Sequence, residues 1–318
     1  MELTPQNILK NLEEKRINKL TASNLLISLI ENSNKMQIRL ESIDTLEKIG
    51  LKSERIYKLL ENLVISDIDG EIRFSAAKFL KNSFIDKSIN PFKWVINNDS
   101  NYNCLIIVIQ SLIEMNSDES KLIIINEIKK ITKNKYLNKE RGVKNKFKKV
   151  LKKLNKQKRI INFTLKELGE ITINYLTILY LCKQYPNVFY ELNNQTGIIH
   201  LLDLSDYMEY EVKGTPFGWK NNIRSLSEIV GLSYLNNLKE IDLSNNLIYN
   251  IKEITQLKEL THLILRNNKI NEIENIKYVQ ELPNLKFLDL RSNPIAKKVD
   301  LMQFDSKIKV LLKDISLE

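Results

Sequence analysis

The sequence predicts two consecutive repeat arrays: an α-solenoid of stacked helix pairs, followed by a short α/β solenoid of parallel strands that ends in a C-terminal helical cap. Three observations carry this prediction. Residues 34–49 (NKMQIRLESIDTLEKI) and 68–83 (IDGEIRFSAAKFLKNS) repeat at a period of 34, which aligns Ile38, Arg39, Ile43 and Leu46 with Ile72, Arg73, Ala77 and Leu80. Residues 238–248, 260–270 and 285–295 each fit L-x-x-L-x-L-x-x-N-x-I, and their Asn246, Asn268 and Asn293 are spaced 22 and 25 apart. The hydrophobic period therefore changes between the halves from that of helices to that of short strands. At 318 residues and 43% hydrophobic composition, the chain is long enough to bury a core without a disulfide or metal staple.

Thr4 caps the leading helix and Pro5 takes its first position, where a missing N–H leaves no bond unmade; Ile8, Leu9, Leu12 and Ile17 then share one face. Four antiparallel pairs follow. Segments 21–31, 53–65, 88–97 and 118–131 each precede a second helix, and the second helices are marked by Leu46, Leu80, Leu112 and Leu151, in steps of 34, 32 and 39. Such pairs bury their stripes only by stacking on neighbours, so residues 1–157 form one helical repeat domain. The segment SDIDGEIRFSAAKFL (66–80) resembles the second helix of a HEAT repeat, and the resemblance covers about residues 20–155. It implies that Asp67 or Asp69 caps the helix and that Arg39 and Arg73 bridge to the next repeat. Leu105 stands at the Arg position of the third repeat, where this ladder should end.

Residues 158–196 read as a connector. Thr164 and Glu167 form a capping box for a helix that is apolar on most of its circumference and ends before Pro186. VFYEL, NNQTG and IIHLL then form a hairpin that shields the edge of the next array. Residues 197–318 form that array. GIIHLLDLSDY (197–207) is a degenerate first strand with Leu202 and Leu204 inward, and an insertion follows it at 206–222. Residues 295–315 lose the repeat and are expected to form the helical cap through Val299, Phe304, Ile308, Leu311 and Ile315. The template resembles leucine-rich repeats of the short class, about residues 197–295. This resemblance implies structural Asn residues at the strand ends and a protein partner on the concave face.

The chemistry of the sequence excludes more than it assigns. The acidic N-terminal turns carry no signal-peptide core, and the longest weakly charged apolar stretch, 171–182, is far shorter than the ~20 residues of a spanning helix. Cys104 and Cys182 sit in apolar helical stretches and offer no disulfide framework, so a reduced, cytoplasmic protein is expected. His200 and His262 have no acid or Cys at metal spacing, and GTPFGWK (214–220) lacks the spacing of a phosphate loop. No catalytic residues, metal site or cofactor are expected, and the chain is not expected to be an enzyme.

Two surfaces remain as candidates for binding. Between the inward Leu positions, Glu240, Asp242 and Ser244, then His262, Ile264 and Arg266, then Phe287, Asp289 and Arg291 should face the concave side, in a composition suited to a protein interface. Phe217 and Trp219, with Tyr207 and Tyr210, lie in the insertion and read equally as partner contacts or as a cover for the helical array. The second candidate is electrostatic. Residues 129–159 hold fifteen bases and one acid, which exceeds the net +10 of the whole chain. Lys144, Lys146, Lys148, Lys149, Lys152 and Lys153 surround the apolar face of 139–155. These lysines read as a patch for nucleic acid, anionic membrane or an acidic protein, as a solvated outer helix face, or as an internal match to the acidic stretch 201–250.

Overall fold

The computed structural model of the chain describes residues 3–133, 143–157, 159–206 and 221–313. It divides into two compact units, 1–127 and 128–318. The first unit is helical: α1 (Pro5–Glu13), α2 (Lys19–Asn32), α3 (Met36–Ile49), α4 (Glu54–Ser66), α5 (Gly70–Phe84), α6 (Ile89–Asn98), α7 (Tyr102–Met115) and the start of α8 (Asp118–Lys133). Local chemistry sets the helix starts. Thr4, Asn18, Ser53, Asp69 and Asn101 each accept a hydrogen bond from an amide of the first turn that would otherwise be orphaned. The pairs α2/α3, α4/α5 and α6/α7 form hairpins, with α3, α5 and α7 in one packed row and α4 beside α6. Their shared core includes Leu46, Leu60, Ile72, Ala76, Ala77, Leu80, Phe92 and Leu112, all fully buried.

Buried ion pairs tie each second helix to the turn of the next hairpin. Arg39 on α3 pairs with Asp67 before α5. Arg73 on α5 donates from Nε and Nη2 to Asp99 before α7, at 2.8 and 2.7 Å. Asp69 is the residue that caps α5, while the Asp67 carboxylate accepts the Asp69 amide. Leu105 occupies the corresponding position on α7 and can make no such pair. The hairpins approach closely at Gly70, where an added Cβ would lie 2.5 Å from Nδ2 of the α7 cap Asn101. Burial alone would raise the Asp99 carboxyl, but Arg73 and the Asn101 amide outweigh it and hold it below its ordinary range.

The second unit contains α9 (Val143–Lys156), α10 (Arg159–Asn162), α11 (Leu165–Gln184), β1 (Phe189–Leu192), β2 (Ile199–Asp203), β3 (Glu240–Asp242), β4 (His262–Ile264), α12 (Glu274–Gln280), β5 (Phe287–Asp289) and β6 (Lys309–Leu311). One six-stranded sheet runs in the order β1 to β6; β1/β2 is an antiparallel hairpin and every later pairing is parallel. Ile241, Leu243, Leu263, Leu265, Leu288 and Leu290 point inward and are buried. Each contributes roughly 1.5–3 kcal/mol of apolar burial.

Two expectations about this unit need correction. The 139–155 segment was expected to complete a fourth hairpin in a 1–157 domain, but α9 groups with the second unit and packs on α11 and β1. Phe147 stacks edge-on against Tyr175 at 5.5 Å, its amide donates to the Tyr190 hydroxyl at 3.1 Å, and Lys146 Nζ donates to the Tyr190 carbonyl at 3.4 Å. The hairpin expected at the N-terminal edge of the array is present as β1/β2, and Asn174 Oδ1 on α11 accepts the Ile199 amide at 2.9 Å. The reason is physical. A free strand edge is a pairing hazard, and α9 meets β1 there, with Lys146 Nζ on the Tyr190 carbonyl. The second correction concerns the C-terminus: residues 294–297 and 301–303 are short 3₁₀ turns, and 309–311 add a parallel strand to β5 where a helical cap was expected. Ile308, Val310 and Leu311 serve a further strand as readily as a helix face.

Asparagines hold the rungs together. Asn268 Oδ1 accepts the Ile248 amide of the preceding repeat at 2.9 Å, while Nδ2 donates to the Leu243, Leu265 and Arg266 carbonyls. Asn246 and Asn293 repeat this arrangement. Asn221 heads the series, with Nδ2 donating to the Leu204 and Asn187 carbonyls at 2.8 and 2.9 Å. The residue before each of the last three rungs (Asn245, Asn267 and Ser292) is left-handed, with φ of 60°, 54° and 58°. Asn tolerates this conformation better than Ser does.

Two measurements test these accounts. Asn268→Ala leaves buried amide and carbonyl groups unsatisfied and should lower stability to urea by about 2 kcal/mol or more, whereas Ser292→Asn should raise it by up to about 1 kcal/mol. Arg73→Met leaves the Asp99 carboxylate buried without its cation, with a loss of about 3 kcal/mol at neutral pH. A lowered folded-state pKa stabilises above the ordinary carboxylate pKa, so the gap between wild type and Arg73→Met should close as pH falls through the range where Asp99 protonates. A gap independent of pH would place the effect elsewhere.

Candidate docking face

The strand register places the candidate residues in rows. Leu201, Glu240, His262, Phe287 and Lys309 align in one row; Asp203, Asp242, Ile264, Asp289 and Leu311 align in the next. On β1, Glu191 lies opposite Leu201 and Phe189 opposite Asp203, so both rows continue onto the hairpin. The inward alternation of Ile241, Leu263 and Leu288 leaves these rows on the other face of the sheet. Beyond the strand ends, Ser244, Arg266 and Arg291 follow in the same sense.

The rings of His262 and Phe287 lie 5.8 Å apart at 31°, and the Thr261 hydroxyl is 2.9 Å from His262 Nδ1. Next to this pair is an open recess of about 600 Å³ whose lining includes Asp242, Ile264, Arg266, Phe287, Asp289 and Arg291. Arg266 is exposed at its rim.

The three Asp residues on this face are partly committed to the fold. Asp203 and Asp242 Oδ1 accept the Ser205 and Ser244 amides at 2.8 Å, and Asp289 Oδ1 accepts the Arg291 amide at 3.1 Å. Asp289 is only 3% exposed, and the Arg291 guanidinium grips it from Nε at 2.9 Å and Nη2 at 2.6 Å. These two residues form one neutral unit on the face. Burial pushes the Asp242 carboxyl above its ordinary range, and the charges of Asp203 and Asp289 add to that despite the hydrogen bonds from Ser244.

The sequence did not point to Glu191, Phe189 or Lys309 as members of this face, because only the pairings of β1 and β6 bring them onto it; Asp203, between the inward Leu202 and Leu204, joins it through the β2/β3 pairing. Asn221 was missed as well, although Asn221-Asn222-Ile223 repeats the N-x-I of the other rungs. Phe217 and Trp219 lie outside the described residues, as does the Lys144 side chain.

The basic helix is not uniform. Lys148 is only 5% exposed, and burial together with Lys152 lowers its pKa. Lys146 is committed to β1, where Nζ also sits 5.6 Å from the Phe189 ring centroid. Lys149, Lys152 and Lys153 are exposed and make no ion pair among the described residues, which cover 201–206 and 221–250 of the acidic stretch. Among the described residues there is no group of three His, Cys, Asp or Glu placed to hold a metal, and no helix long and apolar enough to cross a membrane.

A folded-state pKa above the ordinary value means that the charge on Asp242 opposes folding progressively as pH rises through the interval between the two. Asp242→Asn keeps an oxygen for the Ser244 amide and removes the charge. Its urea midpoint should therefore exceed wild type at neutral pH and converge with it near about pH 3, where both forms are uncharged. A deficit at neutral pH would instead give the carboxylate a net stabilising role.

The family model described as Leucine Rich repeats (2 copies) matches residues 258–301, which include β4, α12 and β5. Such repeats are commonly protein-interaction modules. No curated protein and no solved structure matches the chain.

Proposed function

We propose that this chain is a non-catalytic, cytoplasmic scaffold or adaptor that binds a protein partner through the outward face of its parallel sheet, and that the helical hairpins of residues 1–127 are HEAT-like repeats. The observation that carries the binding role is the stacked His262–Phe287 pair beside the open recess and the exposed Arg266. An aromatic and an arginine on a rigid frame are the residue types that most often dominate interface energetics. The Arg39–Asp67 and Arg73–Asp99 pairs between successive hairpins support the HEAT-like reading. Neither Cys104 nor Cys182 forms a disulfide, which suits a reducing compartment.

A second reading has one observation in its favour. Lys149, Lys152 and Lys153 are exposed on one helix and unpaired among the described residues, which suits an anionic partner such as nucleic acid or an acidic membrane.

Crosslinking in native lysate, followed by capture of the full chain, separates the two. A partner on the sheet face should survive Lys149→Glu, Lys152→Glu and Lys153→Glu combined, and should be lost with Phe287→Ala plus Arg266→Glu, at a cost of at least about 2 kcal/mol. The electrostatic reading requires the reverse pattern together with a steep dependence on salt. A set of partners unchanged by both groups of substitutions overturns both readings.

A further inference from the structure

Four cations on α9 form a stripe that the packing of the second unit leaves in solvent. Lys149, Lys152, Lys153 and Lys156 stand at i, i+3, i+4 and i+7, so they share one side of the helix over about 10 Å. All four are exposed and make no ion pair among the described residues. The apolar side chains of the same helix, Phe147, Val150, Leu151 and Leu154, are buried, and α9 packs on α10, α11 and β1. The acids on those three elements are engaged elsewhere. On α11, Glu167 closes the capping box with Thr164 and Glu170 is hydrogen-bonded to Asn237. Glu191 on β1 lies 3.6 Å from His200, and α10 carries no acid.

We infer that this stripe binds a nucleic-acid duplex along its phosphate backbone, without reading the bases. This rests on the electrostatic reading of α9 and deepens it by naming the occupant. A basic amphipathic helix holds a membrane by burying its apolar face at the acyl boundary, and on α9 that face is already inside the fold. Protein interfaces are depleted in lysine and enriched in aromatic and arginine side chains, whereas the described exposed charges of α9 are lysines alone, with no exposed ring among them. A lysine ammonium meets a phosphate as a point charge and lacks the bidentate fork by which arginine most often reads guanine. A duplex supplies one phosphate per about 1.7 Å of its axis, a regular line of charge that a straight cationic stripe complements. Single strands bind best where rings stack on their bases; Phe189 on β1 is exposed, but Lys146 Nζ already sits over its ring, 5.6 Å from the centroid.

The test is fluorescence anisotropy of a short labelled DNA duplex titrated with the full chain as salt is varied from about 50 to 200 mM. Neutralising four phosphates gives a log–log slope of about −3.6, a loss of affinity of roughly a hundredfold over that range. Lys152→Gln with Lys153→Gln should halve the slope, and adding Lys149→Gln and Lys156→Gln should abolish binding at about 150 mM salt. Thermal melts establish that each variant is folded. Removing the same charge from Lys252, Lys269, Lys277 and Lys297, which are exposed elsewhere in the unit, should leave the affinity within about twofold. Duplexes of unrelated sequence, and an RNA duplex of the same length, should bind within about threefold of one another. Equal losses in the two fourfold variants make binding a property of net charge and overturn the proposal. If phosphatidylserine vesicles or polyglutamate bind in place of the duplex, and are lost with the four α9 substitutions, the duplex is overturned while the electrostatic reading stands. No binding of any of the three probes, or binding indifferent to the α9 substitutions, overturns both.

Discussion

Short parallel strands leave the chain with a problem at every turn, because backbone groups that exit the sheet are buried before they can reach water. The asparagine series solves it. Each amide reaches one N–H of the repeat before it and carbonyls on both sides, so the position of each rung is fixed by the next. The rows on the outer face are ordered only because the inner ladder is. The alignment of His262 with Phe287, and of Asp203 with Asp242, is a consequence of Asn246, Asn268 and Asn293 being satisfied. The helical unit solves the corresponding problem with charge, using arginines on successive second helices to fix the turn of the following hairpin.

What was legible in the sequence is what repeats within a fixed window. The inward leucines, the three asparagines, the Thr164–Glu167 capping box and the hairpin before the array can all be read from spacing, and the structure has them. The helix over 143–156 could be read as amphipathic, but a stripe of Phe147, Val150, Leu151 and Leu154 does not say which surface it covers. Residues 308–311 are too few to distinguish strand from helix until β5 offers them hydrogen bonds. Asn221 was hidden because seventeen positions separate it from Leu204, where three separate Asn246 from Leu243.

The charge balance changes meaning once the side chains are placed. The chain's net charge of +10 is concentrated in one short segment, and within its helix the lysines divide by role. Lys148 is buried and Lys146 reaches over the hairpin edge, while Lys149, Lys152 and Lys153 remain in solvent. A long cationic side chain at a sheet edge covers apolar surface with its stem and deters further strand pairing with its head, so part of the basic character serves the fold.

The anchoring of Asn221 also bears on how this protein can vary. Because Asn221 bonds the Leu204 carbonyl and both backbone groups of Asn187, the chain leaves the array after Asp206 and re-enters it at a point already fixed. The length of the segment between those two residues is thereby uncoupled from the registry of every later rung. The registry of β3, β4 and β5 therefore does not depend on how many residues the sequence places between Asp206 and Asn221, so insertions and deletions there need not be matched by changes in the later rungs.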